Sequence, residues 1–261
     1  MTMNPRPFVV AACLLTAGMV HTAASQMLET ETARPLGRGA LEMSGAYEFQ
    51  TSSEGSESAL PFAFEYGIRD HLEFMLEPVA YTAIRPHAGT HATGRGDLEA
   101  TLTYRFRAES GQIPALAVAA EVKVPTANDA LIGTGEEDYT GYLIASKLLG
   151  PVDTHYNVSY THVGKSEGVD LNDIMGFGVA GVYRASAHAI VFGEALGSTA
   201  SAPEGKEGDH SAVTPEAAGG EMVGTLGAGW YAGRNALLYL GVSYDNNNAV
   251  LFHPGLTVLL R

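Results

Sequence analysis

Along much of the chain apolar and polar side chains alternate one for one. In Asp97 to Phe106, Leu98, Ala100, Leu102, Tyr104 and Phe106 fall on one face, and Glu99, Thr101, Thr103 and Arg105 on the other. The same period of two runs through Ala59 to Ile68, where Leu60, Phe62, Phe64, Tyr66 and Ile68 oppose Pro61, Ala63, Glu65 and Gly67, and again through Ala115 to Val124. Successive side chains of a strand leave opposite faces, so the pattern predicts strands whose two faces meet different surroundings. Extended along the chain it predicts twelve, at 40–50, 58–68, 71–81, 97–107, 114–125, 139–149, 153–162, 173–184, 187–198, 221–232, 235–245 and 249–260. Each is close to the roughly 9 to 11 residues that a tilted strand needs to cross a bilayer.

The connections alternate too. Short turns at 69–70, 149–152, 184–187 and 232–235, with a slightly longer one at 108–112, fall between long polar, glycine-rich stretches at 51–57, 82–96, 126–138, 163–172 and 199–220. The last connection, 246–248, is short. Brief turns at one end and long loops at the other are the arrangement of outer-membrane barrels. The expected fold is therefore all-β: an antiparallel up-and-down transmembrane β-barrel of about 12 strands, with short periplasmic turns, longer external loops and both chain ends in the periplasm. A soluble sandwich would show the same alternation, with its apolar face packed on a second sheet. Even strand lengths and aromatic residues near strand ends (Tyr47, Tyr66, Tyr104, Phe106, Tyr183, Trp230, Tyr244) favour a wall in lipid.

Composition agrees. A mean hydropathy of +0.03 is what an average over one apolar and one polar face produces. The excess of acid over base, 29 against 15, excludes a nucleic-acid footprint, and one cysteine excludes a disulfide scaffold. Arg6, the apolar stretch Phe8 to Val20 and the small residues Ala23, Ala24 and Ser25 read as a secretory signal peptide, too short to span a membrane. The expected organisation is a cleaved signal peptide over 1–25, a short periplasmic N-terminal segment over 26–38 and the barrel over 39–261, located in the outer membrane of a Gram-negative cell.

If the apolar faces meet lipid, charged side chains on the strands belong inside, because a basic group at the bilayer midplane costs roughly 2 to 4 kcal/mol. The expected lumen-lining set is Glu42, Glu48, Glu65, Glu73, Glu77, Glu99, Arg105, Glu121, Lys123, Lys147 and Glu194, joined by Phe192 and Tyr239. Most of the charges sit on the first five strands. The inner faces of the last five carry Gly176, Gly178, Ala180, Ile190, Leu196, Gly227, Gly229 and Leu237. The lumen is thus expected to have an acidic wall and an apolar or bare one. Either the glutamates pair with Arg105, Lys123 and Lys147 to fill a narrow barrel, or the two walls border a passage for small amphipathic or aromatic molecules.

No catalytic, cofactor or metal motif stands out. There is no G-x-S-x-G elbow, and Gly133 to Asp138 lacks the lysine and hydroxyl of a phosphate loop. His87 and His91 are four apart, in a stretch without helical pattern or a further ligand. His155, Ser159 and His253 are the only raw material for a barrel-embedded, lipid-modifying enzyme.

From Gly96-Asp97-Leu98-Glu99-Ala100-Thr101-Leu102-Thr103-Tyr104-Arg105-Phe106 the sequence resembles a bacterial outer-membrane family described as putative meta-pathway of phenol degradation proteins. The likeness continues through Val124-Pro125-Thr126, Gly133-Thr134-Gly135, Asp138-Tyr139, Ser146-Lys147-Leu148 and His155 to Tyr160, and more weakly at Gly193-Glu194. The resemblance implies an outer-membrane barrel importing aromatic or other apolar compounds, without a catalytic motif. Such barrels usually end in an aromatic residue, whereas this chain ends Leu259-Leu260-Arg261. The expected function is a passive channel or uptake conduit for small apolar or aromatic molecules, needing no cofactor. Its expected partners are outer-membrane lipid, a small-molecule solute and the barrel assembly machinery. The alternative is a structural or interaction barrel with a plugged lumen.

Overall fold

The computed structural model describes residues 27–165, 171–201 and 220–260. The expected leader, most of the 199–220 loop and Arg261 lie outside them. The strands are β1 (Leu41–Ala46), β2 (Glu48–Thr51), β3 (Gly55–Arg69), β4 (Leu72–Pro86), β5 (Ala92–Gly94), β6 (Leu98–Arg107) and β7 (Ala115–Val124). They continue with β8 (Asp138–Leu149), β9 (Val152–His162), β10 (Ile174–Arg184), β11 (Ala189–Ser198), β12 (Met222–Tyr231), β13 (Ala236–Asp245) and β14 (Val250–Leu260).

All pairings are antiparallel, and β1 pairs with both β3 and β14, which closes the sheet. β1 and β2 are one wall strand interrupted at Tyr47, since both lie between β14 and β3. β5 is a short ribbon on the outer part of β4, where Thr82 faces Gly94. The wall is thus a closed 12-strand barrel with two extra strand pieces, as the alternation predicted. The interruption has a local cause. Pro254 on β14 has no N–H to give a neighbour, and where it stands Tyr47 donates its own N–H to the Pro254 carbonyl at 3.0 Å. A second proline, Pro61 on β3, coincides with a register shift between Ala59 and Pro61.

The faces are assigned as the alternation requires. Phe62, Tyr66, Leu102, Tyr104, Leu143, Val158, Val191, Leu226 and Leu240 are exposed on the outside. Glu42, Glu65, Glu73, Thr101, Thr103, Asn157 and Thr225 are buried inside. Closure pairs the backbone groups of every wall strand on both sides, which a segment without water around it must achieve. The observed β3 and β4 are longer than the alternation predicted, 15 residues each, because their outer halves continue pairing from Gly55↔Pro86 to Ala59↔Thr82.

One expectation is corrected. The segment 26–38 does not hang in the periplasm: its described part, 27–38, runs down inside the barrel, from Met27 in the lumen to the periplasmic mouth. Met27 and Leu28 pack with Ala180, Val182, Ile190, Phe192, Leu237 and Tyr239, and Ala33 packs on Ala115, Ala117, Ala119 and Ile144. Twelve strands enclose more space than their own inward side chains fill on this side, and a stretch close by in the chain takes it, turning Met27, Leu28 and Ala33 against the bare wall.

Candidate functional site

The lumen is organised around that inner segment, and wall side chains bond its backbone step by step. Glu194 on β11 accepts the Glu29 and Thr30 N–H groups at 3.2 and 2.6 Å. Asn157 on β9 mimics a strand partner: its Oδ1 accepts the Glu31 N–H at 2.6 Å, and its Nδ2 donates to the Glu31 carbonyl at 2.9 Å. Ser146 Oγ accepts the Ala33 N–H at 2.9 Å and is itself 2.9 Å from His155 Nδ1. Glu73 accepts the Leu36 N–H at 2.6 Å, and at the barrel mouth Gly67 O accepts the Gly39 N–H at 2.7 Å. Buried backbone donors need such partners, and with no neighbouring strand in the lumen only side chains can supply them.

A charged clasp closes the periplasmic end. Arg34 reaches Asp153 Oδ1 at 2.5 Å and Glu109 Oε2 at 2.6 Å. The other Glu109 oxygen holds Lys147 Nζ at 2.6 Å. Desolvation pushes the Glu109 carboxyl up, but the hydrogen bonds from Lys147 and Arg34 outweigh it and hold the group below its ordinary value of 4.5.

The expected lumen-lining residues fall as follows. Glu42, Glu65, Glu73, Glu194, Phe192 and Tyr239 are buried on the inner face, and Glu48, Glu77, Glu99 and Glu121 line the cavity beside the segment. Lys123 is spent on an ion pair with Asp138 at the external end. Arg105 is inward-facing but lies at the mouth, donating to the Asp70 carbonyl at 2.6 Å. Lys147 is a correction. Ser146 takes the inward position on β8, so its neighbour Lys147 cannot, and the lysine folds down to Glu109 and the Gly111 carbonyl at the periplasmic edge. The expected network of glutamates paired with Arg105, Lys123 and Lys147 is therefore not what fills the lumen.

The residues that sequence reading missed are those that grip the segment: Glu109, Ser146, Asp153 and Asn157. One signal points to them. Ala115, Ala117 and Ala119 on one inner wall and Gly176 and Gly178 on another leave space that some other part of the chain must take. A Cβ at Gly178 would come 2.7 Å from Thr30 Oγ1, and one at Gly67 would come 2.2 Å from the Gly37 carbonyl oxygen.

Two cavities flank the segment and share Glu29 and Glu48. The larger, about 410 Å³, lies against the acidic wall between Glu65, Glu77, Glu99, Glu121 and Tyr142, and among the described residues Arg34 is the one basic residue lining it. The smaller, about 270 Å³, opens towards the external end between Leu196, Val223, Leu251 and His253. Ser146 and His155, a pair that a hydrolase would need open, are sealed beneath Ala33. Ser159 lies over Gly176, where a Cβ would meet its hydroxyl at 2.5 Å.

A 12-strand antiparallel wall with apolar residues facing outward and a polar interior narrows the comparison to one class. The fold is that of outer-membrane barrels. The crystal structure of the COG4313 outer membrane channel from Pseudomonas putida F1 superposes with a TM-score of 0.64 over 89% of this chain and all of that one, at 13% identity. The NanC porin gives 0.59 at 10% identity, covering 84% and 98% of the two chains. The KdgM porin in complex with disordered oligogalacturonate gives 0.53 at 7%, covering 82% and 98%. No family model and no curated relative matches the sequence, so the likeness stands at the level of the fold and does not reach the phenol-degradation family.

Proposed function

We propose that this protein is a passive conduit for small apolar or aromatic molecules in the outer membrane of a Gram-negative cell, placed there by signal-directed export and the barrel assembly machinery. The supporting observation is the two-sided lumen. Leu196, Val223 and Leu251 offer an apolar wall in the smaller cavity, Glu65, Glu77, Glu99 and Glu121 a wettable one in the larger, and the inner segment runs between them. An apolar solute gains by burial against the first wall, while the carboxylates keep the opposite side hydrated and disfavour anions. Ser146 and His155 serve as anchors, which supports a channel over an enzyme.

A specific observation favours a second reading, a plugged barrel. The segment 27–38 occupies the lumen and is bonded along its length. Flux measurements on proteoliposomes separate the two readings, using the whole protein and a variant lacking 27–38. The conduit reading expects uptake of a neutral aromatic solute by the whole protein, faster than that of a sugar of equal size. Uptake by the deletion variant alone supports the plugged barrel, and no uptake by either sinks the conduit.

A further inference from the structure

Two arginines end on the lipid-facing side of the wall, where strict alternation would not put them. Arg69 lies two residues beyond inward Gly67, and Arg107 two beyond inward Arg105, so both should point inside. Before each the register slips by one residue: Gly67↔Glu73 is followed by Arg69↔Leu72, and Arg105↔Ala117 by Arg107↔Leu116. Residues directly opposite on antiparallel strands share a face. Leu72 faces exposed Tyr104, and Leu116 shares its side of β7 with exposed Val118, so both belong to the outer face. The two β-bulges therefore re-aim both arginines outward at the periplasmic edge.

The surroundings form a patch. His71 meets the Tyr104 ring edge-on at 5.6 Å, and Phe106 is exposed beside Arg107. The carboxylates in the adjoining turns are engaged elsewhere: Asp70 accepts the Arg38 N–H, and Glu109 is shared by Arg34 and Lys147. Among the described residues neither Arg69 nor Arg107 makes an ion pair.

We propose that Arg69, His71, Tyr104, Phe106 and Arg107 bind the headgroup of an anionic phospholipid in the periplasmic leaflet. Two guanidinium forks offer planar paired donors to a phosphate, and the rings sit at the level where aromatic residues hold the membrane boundary. A lipid is the occupant that fits, because the arginines lie on the face whose other members are exposed apolar side chains such as Tyr66, Tyr104 and Val118, whereas a soluble acidic partner would meet the turn tips. The proposal rests on the outer-membrane reading above.

Native mass spectrometry of the detergent-folded protein tests it, with phosphatidylglycerol and phosphatidylcholine of identical chains supplied in equal amounts. The whole protein should retain phosphatidylglycerol several-fold over phosphatidylcholine. Arg69→Gln with Arg107→Gln should bring that ratio near parity while heat-modifiable mobility shows the barrel still folded, and Arg85→Gln with Lys165→Gln, at the external end, should leave it unchanged. A preference that survives the first pair, or that is absent from the unaltered protein, overturns the site. Recovery of the protein outside the membrane fraction overturns instead the reading on which the proposal rests.

Discussion

The carboxylate of Glu194, on the inner face of β11, accepts the backbone N–H of Thr30 at 2.6 Å, although the two residues are 164 apart in sequence. A hydrogen bond to a charged acceptor contributes about 1.5–3 kcal/mol, and an N–H left without one inside a protein is costly. Glu194→Ala should therefore loosen the upper end of the inner segment. Hydrogen exchange should speed up at the Glu29 and Thr30 amides while those of β6 and β7 keep their protection. Equal protection of Glu29 and Thr30 in both proteins would show that Glu194 is not the anchor.

The Glu109 clasp makes the lower end of the segment sensitive to acid. Its carboxyl is held below the ordinary 4.5 by Lys147 and Arg34. A depressed value in the folded state means that the stabilisation is complete above the ordinary value and is lost as pH falls through the folded one. Exchange at Arg34 and Leu36 should accelerate, relative to wall amides, as the pH is taken below the ordinary carboxyl value of 4.5. Glu109→Gln should show the faster exchange already at neutral pH, with a weaker dependence on acid.

Gly227 on β12 lies directly beneath the Phe192 ring. A Cβ there would fall 2.1 Å from Phe192 Cζ and 2.6 Å from the Leu240 carbonyl oxygen, and the backbone atom cannot step aside as a side chain would. Gly227→Ala must drive Phe192 from its edge-on contact with Tyr239, at a cost of about 1–3 kcal/mol. Gly224→Ala on the same strand meets nothing within 4 Å and serves as the control. Urea unfolding of liposome-folded protein should separate the two; equal midpoints would contradict the packing described.

Leu226, midway along β12, is 73% exposed on the outer face. Leu226→Arg should destabilise the barrel in liposomes by about 2–4 kcal/mol, the cost of a basic side chain near the bilayer midplane. In a soluble protein the same exposed position would tolerate arginine with little change. Indifference in the urea midpoint would mean that this face does not meet lipid.

The inward positions of Glu42, Glu65, Glu73, Glu99, Glu121 and Glu194 were legible because each lies in a run where every second residue is apolar. Lys147 was not. Its misplacement comes from the rule that a charged side chain on a strand belongs inside: alternation already sets Lys147 on the outer side beside inward Ser146, and near a strand end its long side chain reaches Glu109 at the periplasmic edge instead. Arg69 and Arg107 escaped for a different reason. A bulge shifts parity by one, and nothing in the local composition marks the extra residue.

The sequence by itself determined the wall: how many strands cross, how they are joined, and which face of each is apolar. Those features are local, because covalent geometry sends neighbouring side chains to opposite sides and a turn joins adjacent strands. Tertiary structure alone decided what fills the wall. The inner segment's partners, Glu194, Asn157, Ser146 and Glu73, lie from 37 to 164 residues away in sequence. They come together only once the barrel has closed and left, along its alanine- and glycine-lined side, a space that 27–38 is close enough to occupy.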